Sequence, residues 1–175
     1  MEFHVSTILK DSKYKVVANI PYYLTSYLIR DIFEKWPQPE LIVLTIQKEV
    51  AQRMMAKPPH MNLLALSVQY YAKPEIVKII SKNNFRPVPK IDSAIIRLAP
   101  RKEKINHEQA ESLFKLIKTG FSEKRKQLAS NLSAKSQLPK EIIVENLLKL
   151  GLTPTVRAEN LTLGQWKDLN NSLGI

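Results

Sequence analysis

Cysteine is absent, which removes disulfide frameworks, thiol catalysis and Cys-ligated metal sites together. Histidine is nearly as scarce. His4, His60 and His107 lie far apart and form no pair at a metal-binding spacing. Apolar runs are short, none approaching the roughly 18 residues that span a bilayer. The opening MEFHVSTILKDSKYK is too polar for the apolar stretch of a signal peptide. Acidic residues are outnumbered: 16 Asp+Glu against 27 Lys+Arg leave a formal charge of +11 over 175 residues. Such a surplus favours polyanions as partners, nucleic acid first and an anionic membrane surface second. Hydrophobic residues, at 44%, suffice for a packed core. These bounds predict a soluble, cytoplasmic, polyanion-binding protein without a metal.

Glycine is the most informative shortage. Average usage near 7% gives about 12 in a chain of this length, yet only Gly120, Gly151, Gly164 and Gly174 occur. A loop that cradles a nucleotide phosphate uses glycine to bring backbone N–H groups close to the ligand. No loop of that kind is encoded before Gly120.

What is present alternates. KVVANI (15–20) reads as a short buried strand ended by the Pro-fixed PYY corner. TSYLIRDIFEKW reads as a helix capped by Thr25 or Ser26, with Leu24, Leu28, Ile32 and Trp36 at helical spacing. LIVLTI (41–46) is a second strand. QKEVAQRMMAK is a helix running to Pro58, and NLLALSVQYYA a further helix. EIVKII (75–80) and IDSAIIRL (91–98) are the last strands. After the charged junction PRKEK (100–104) the periodicity is helical only, in short amphipathic pieces separated by Pro, Gly and Thr. The predicted architecture is an α/β sheet over residues 1–100 followed by a small all-α domain over 101–175.

Asn19-Ile20-Pro21-Tyr22 falls at the carboxyl end of the first strand, where open α/β sheets place ligands. These residue types suit a planar base held by its exocyclic amine. The Asn19 side-chain oxygen can accept one N–H of an adenine amine. The Ile20 carbonyl, restricted by the following proline, can accept the other. Tyr22 offers a ring for stacking, worth about 1–3 kcal/mol per base.

The stretches VVANIPYYLTS, LTIQKEVAQRM, FRPVPKIDSAIIRL and FSEKRKQLASNL with RAENL, in that order, resemble the ribosomal RNA adenine N6,N6-dimethyltransferase family. They are also similar to the related macrolide-resistance methylases. The resemblance implies the carboxyl-terminal part of a Rossmann-like class I methyltransferase sheet joined to a helical RNA-binding domain. It implies S-adenosylmethionine as methyl donor, and two adjacent adenosines near the 3′ end of small-subunit ribosomal RNA as targets, each methylated twice. It assigns Asn19 to Tyr22 to the catalytic motif and Tyr22 and Phe85 to the two faces of a flipped base. Of the donor's contacts it leaves only Asn19. Arg86, Lys90, Lys124, Arg125 and Lys126 are assigned to RNA phosphates.

The family's Gly-rich loop and ribose-binding acid lie upstream of the strand that begins here at Lys15. The expectation is therefore a chain lacking most of the donor site, with weak or no activity alone. Its expected partner is small-subunit RNA or a pre-30S-like particle, bound as a monomer with no membrane contact. The alternatives are a non-catalytic RNA-binding assembly module, a large-subunit RNA methylase, or a DNA adenine methyltransferase. Glu123 to Lys126 is expected to open a helix, Arg157 and Glu159 to pair or cap, and Gln47 and Glu49 to cap or pack. Leu113, Leu116, Ile117, Phe121, Leu147, Leu148, Leu150 and Trp166 are expected in a bundle core.

Overall fold

The computed structural model describes residues 13–102, 106–136 and 138–174. The opening segment with His4, and part of the Pro100–Lys104 junction, lie outside them. The described residues form two compact units. One comprises residues 13–55 and 68–102, the other residues 56–67 and 106–174. Residues 56–67, read from sequence as part of the sheet domain, therefore belong with the helices, and the Met61 N–H donates to the Glu159 carbonyl at 3.0 Å.

The first unit is a four-stranded sheet in the order β1-β2-β4-β3, built from β1 (Lys15–Asn19), β2 (Leu41–Gln47), β3 (Ala72–Ile80) and β4 (Ser93–Pro100). β1 and β2 run parallel, and β4 is antiparallel to both β2 and β3. The parallel pair requires a crossover, supplied by helix α1 (Thr25–Lys35). One face of the sheet is the core: Ile42, Leu44 and Ile46 are fully buried beside Leu98, Ile96 and Ala94, their register partners on β4. Ile29 and Ile32 of α1 are buried as well. The expected stripe shifts, because Leu24 is 37% exposed while the buried helical positions are Thr25, Ile29 and Ile32. Neither Thr25 nor Ser26 caps the helix. The chain enters it through a 3-10 turn, Tyr22–Leu24.

Helix α2 (Lys48–Met54) stops before the expected Pro58. Helix α3 (Leu63–Tyr71) carries Tyr71, which stacks on Phe33 of α1 at 5.0 Å and meets Tyr70 edge-on. β3 is longer than the sequence suggests and includes Pro74, which an edge strand tolerates because one side of its backbone donates to nothing. Its register with β4 shifts between Ile76 and Lys78, leaving Val77 56% exposed.

The helical unit contains α4 (His107–Gly120), α5 (Leu128–Lys135), α6 (Lys140–Lys149) and α7 (Leu163–Leu173). Asn106 caps α4 by accepting the Glu108 and Gln109 N–H groups. Thr162 and Gln165 cap α7 reciprocally. Trp166, Leu113, Leu116, Ile117 and Leu147 are buried as expected. Leu148 is instead 55% exposed, and Phe121 and Leu150 are half-buried. Gly120 is required by close approach: a Cβ there would lie 2.5 Å from Trp166 Cη2. Glu123–Lys126 does not open a helix. It forms a turn before α5, closed by Lys126 N–H to Glu123 O, with the buried Asn131 amide donating to the Gly120 and Glu123 carbonyls at 2.6 and 3.0 Å. Arg157 and Glu159 make no ion pair among those described. The cap in RAENL comes from Asn160, whose side-chain oxygen accepts the Arg157 N–H at 3.0 Å.

Candidate functional site

Register places one edge of the sheet. Asn19, the last residue of β1, lies opposite Thr45, two residues before the end of β2. Ser93, the first residue of β4, lies opposite both Gln47 and Ile80, the last residues of β2 and β3. The carboxyl ends of β1, β2 and β3 thus converge where β4 begins.

At this edge the chain turns sharply. Asn19 and Pro21 are exposed, while Ile20 and Tyr22 are half-buried. The Pro21 carbonyl accepts the Leu24 N–H at 3.0 Å, and the Tyr22 carbonyl accepts the buried Thr25 hydroxyl at 3.1 Å. The corner is open to solvent on the strand-end side and pinned at its helical end. Tyr22 is further held by its hydroxyl, 2.9 Å from the Oγ of Ser93, a fully buried residue.

Asp92, next to Ser93, ties in two more segments. Its carbonyl accepts the Lys48 N–H at 3.1 Å, and its carboxylate lies 3.5 Å from the Lys48 ammonium. The same carboxylate accepts the Lys82 N–H at 3.1 Å, at the start of the 3-10 turn Lys82–Asn84. That backbone hydrogen bond, reinforced by the Lys48 ammonium and opposed by partial loss of water, holds the Asp92 carboxyl below its ordinary range. Phe85 closes the turn, half-buried, its N–H donating to the Lys82 carbonyl. Asp92 and Ser93 therefore join the NIPYY corner, the QKEVAQR segment and the loop bearing Phe85.

Arg86 and Lys90 are exposed in the loop after Phe85. Lys124, Arg125 and Lys126 are exposed in the turn before α5, within the helical unit. Gln47 precedes α2 without a side-chain cap, and Glu49 is exposed. Ser93, Asp92, Lys48 and Lys82 received no role from sequence. Lys48 falls within QKEVAQR and Asp92 and Ser93 within FRPVPKIDSA, so their place in those stretches beside the strand ends was the available signal. Lys82 carries no such signal. Among the described residues no cluster of three acidic, His or Cys side chains is placed for a metal, and no helix is long and apolar enough to cross a membrane.

A sequence profile described as ribosomal RNA adenine dimethylase matches residues 1–174. The chain belongs to the ribosomal RNA adenine dimethylase family. Within it, the chain is similar to ribosomal RNA small subunit methyltransferase A of Dehalococcoides mccartyi, 40% identical over 157 residues, covering 89% of this chain and 54% of that protein. The enzyme of the same description from Lachnoclostridium phytofermentans is 43% identical over 162 residues, covering 89% and 55%. The chain thus spans about half the length of these curated dimethylase relatives. Among solved structures, a dimethyladenosine transferase from Plasmodium falciparum superposes with a TM-score of 0.74 at 26% identity, covering 89% of this chain and 65% of that one. The 23S rRNA methyltransferase ErmE superposes at 0.75 with 23% identity over 94% and 67%, a likeness of fold. The Rossmann-like α/β sheet expected of a dimethylase is thereby shown, as is the family.

Proposed function

We propose that this protein acts in the N6-dimethylation of adjacent adenosines in small-subunit ribosomal RNA, a step of ribosome biogenesis, with S-adenosylmethionine as methyl donor. The reading rests on the corner Asn19–Tyr22 at the strand-end edge, open at Asn19 and tethered at Tyr22.

Of the groups that would hold the donor, the corner offers one, the exposed Asn19 carboxamide. No glycine before Gly120 provides a turn whose backbone could approach the donor closely. The fit is with the reacting edge of the donor alone. When bound, S-adenosylmethionine supplies an electrophilic methyl group.

The chain's own residues act on the base. The target amine is hidden by stacking and pairing until its nucleotide is extruded. Tyr22 and Phe85 then cover the two faces of the adenine. The Asn19 side-chain oxygen and the Ile20 carbonyl accept the two N–H hydrogens of the amine, which turns its lone pair out of ring conjugation. No general base is needed, since the nitrogen becomes cationic and sheds its proton to water. Positioning supplies most of the rate. Arg86, Lys90, Lys124, Arg125 and Lys126 contact backbone phosphates, consistent with the +11 charge.

The direct test is nucleoside mass spectrometry of small-subunit RNA from cells whose own copy carries Asn19→Ala. Loss of N6,N6-dimethyladenosine is expected. Unchanged dimethyladenosine would sink the reading.

A further inference from the structure

Along the same edge as Asn19, across β2, the sheet carries a cavity of about 430 Å³. It is lined chiefly by Lys48, Glu49, Gln52, Lys82, Lys90 and Asp92, from the segments that follow β2, follow β3 and precede β4. Apart from Ile91 the lining residues are polar, with three ammonium groups against two carboxylates. One of those carboxylates is already engaged, since Asp92 accepts the Lys82 N–H and pairs with Lys48. Asp92 thereby fixes the Lys48 ammonium and the backbone at Lys82, which lowers the ordering cost of binding an anion there.

We infer that this cavity seats a backbone phosphate of the RNA strand beside the extruded adenosine. The inference rests on the proposed RNA substrate and adds a site to it. Three observations carry it. The cavity lies on the edge where open α/β sheets bind ligands. Its cations come from both sides of β4, so they converge from separate segments. And its wall residue Asp92 is covalently next to Ser93, whose hydroxyl bonds the Tyr22 hydroxyl, which sets the cavity beside the corner proposed to hold the base. Lysine serves phosphate here as a point charge, without the planar geometry arginine imposes.

The test is the full chain carrying Lys82→Ala and Lys90→Ala together, titrated with a fluorescein-labelled RNA hairpin bearing two adjacent loop adenosines, over a range of salt. Alanine at position 82 keeps the backbone N–H that Asp92 accepts, so the loop is spared; the Lys82→Gln, Lys90→Gln pair repeats the test with longer side chains. Lys73→Ala is the control, an exposed cation at the opposite end of β3. Both double variants should bind about tenfold more weakly at low salt, with a salt slope shallower by about one, and the control should match the wild type. Unchanged affinity and slope in the double variants, a loss without a slope change, or an equal loss in the control would each overturn the cavity assignment, and the first would also remove Lys90 from the phosphate contacts proposed above. Failure of the wild-type chain to bind the hairpin would overturn the RNA reading with it.

Discussion

The Tyr22 hydroxyl and the Ser93 Oγ lie 2.9 Å apart across 71 residues of sequence. The two ends differ in burial: Ser93 is wholly enclosed, whereas Tyr22 is half-exposed. Tyr22→Phe therefore strands a buried hydroxyl and is expected to cost about 1–3 kcal/mol, while Ser93→Ala leaves a tyrosine hydroxyl that can reach water and costs less. Adding Ser93→Ala to Tyr22→Phe should recover part of the loss. Urea denaturation of the four proteins reads the coupling. Strictly additive losses would show that the bond does not tether the corner.

Asp92 links stability to pH. Its folded carboxyl titrates below the ordinary carboxylate range, chiefly because it accepts the Lys82 N–H, so the stabilisation it brings is complete above that range and is lost as pH falls through the lower folded value. Asp92→Asn should be less stable than the wild type at pH 7, and the gap should narrow at acid pH. Urea midpoints of both proteins at neutral and acid pH decide this; a gap independent of pH contradicts the linkage.

Two glycines should respond oppositely to alanine. At Gly120 the added methyl meets Trp166 Cη2 at 2.5 Å and Leu128 Cδ1 at 2.8 Å, and overpacking of this kind costs about 1–3 kcal/mol. At Gly164, inside α7, the nearest atom is Thr162 Oγ1 at 3.8 Å, so Gly164→Ala should be neutral or stabilising by up to about 1 kcal/mol. Thermal melts of both variants provide the comparison.

The Asn131 side chain braces the basic turn it follows through two hydrogen bonds, to the carbonyls of Gly120 and Glu123. Asn131→Ala should destabilise the helical unit by about 1–3 kcal/mol. It should also speed amide hydrogen exchange at Lys126, whose N–H closes the turn. Unchanged exchange there would mean that the turn holds itself.

The fold was legible wherever burial follows a simple period. The alternating β2 residues Ile42, Leu44 and Ile46, and the helical repeat around Leu113 and Ile117, needed only hydrophobic spacing. What escaped depends on tertiary pairing. β3 extends back through Pro74 because it is an edge strand, and its register slips at Val77, neither of which local propensity encodes. The charged turn Glu123–Lys126 looked like a helix start, but a side chain farther along, Asn131, spends its amide on the turn's carbonyls. At the candidate site, the residue types of Asn19 to Tyr22 singled out the corner at the strand-end edge. Ser93 and Asp92 did not announce themselves as its support, because a serine or aspartate at a strand start has many local uses, and only the register reveals which segments it joins.

The claim on which the functional account depends is that Asn19 and its corner grip an adenine by its amino group. The most direct measurement compares binding of the hairpin with adjacent adenosines to one in which purine riboside, lacking the 6-amino group, replaces them. The wild-type chain should prefer adenosine by about tenfold, the discrimination expected of a paired contact to one base edge, and Asn19→Ala should erase that preference while retaining the salt dependence of binding. An Asn19→Ala protein that still favoured adenosine as strongly as the wild type would contradict the account.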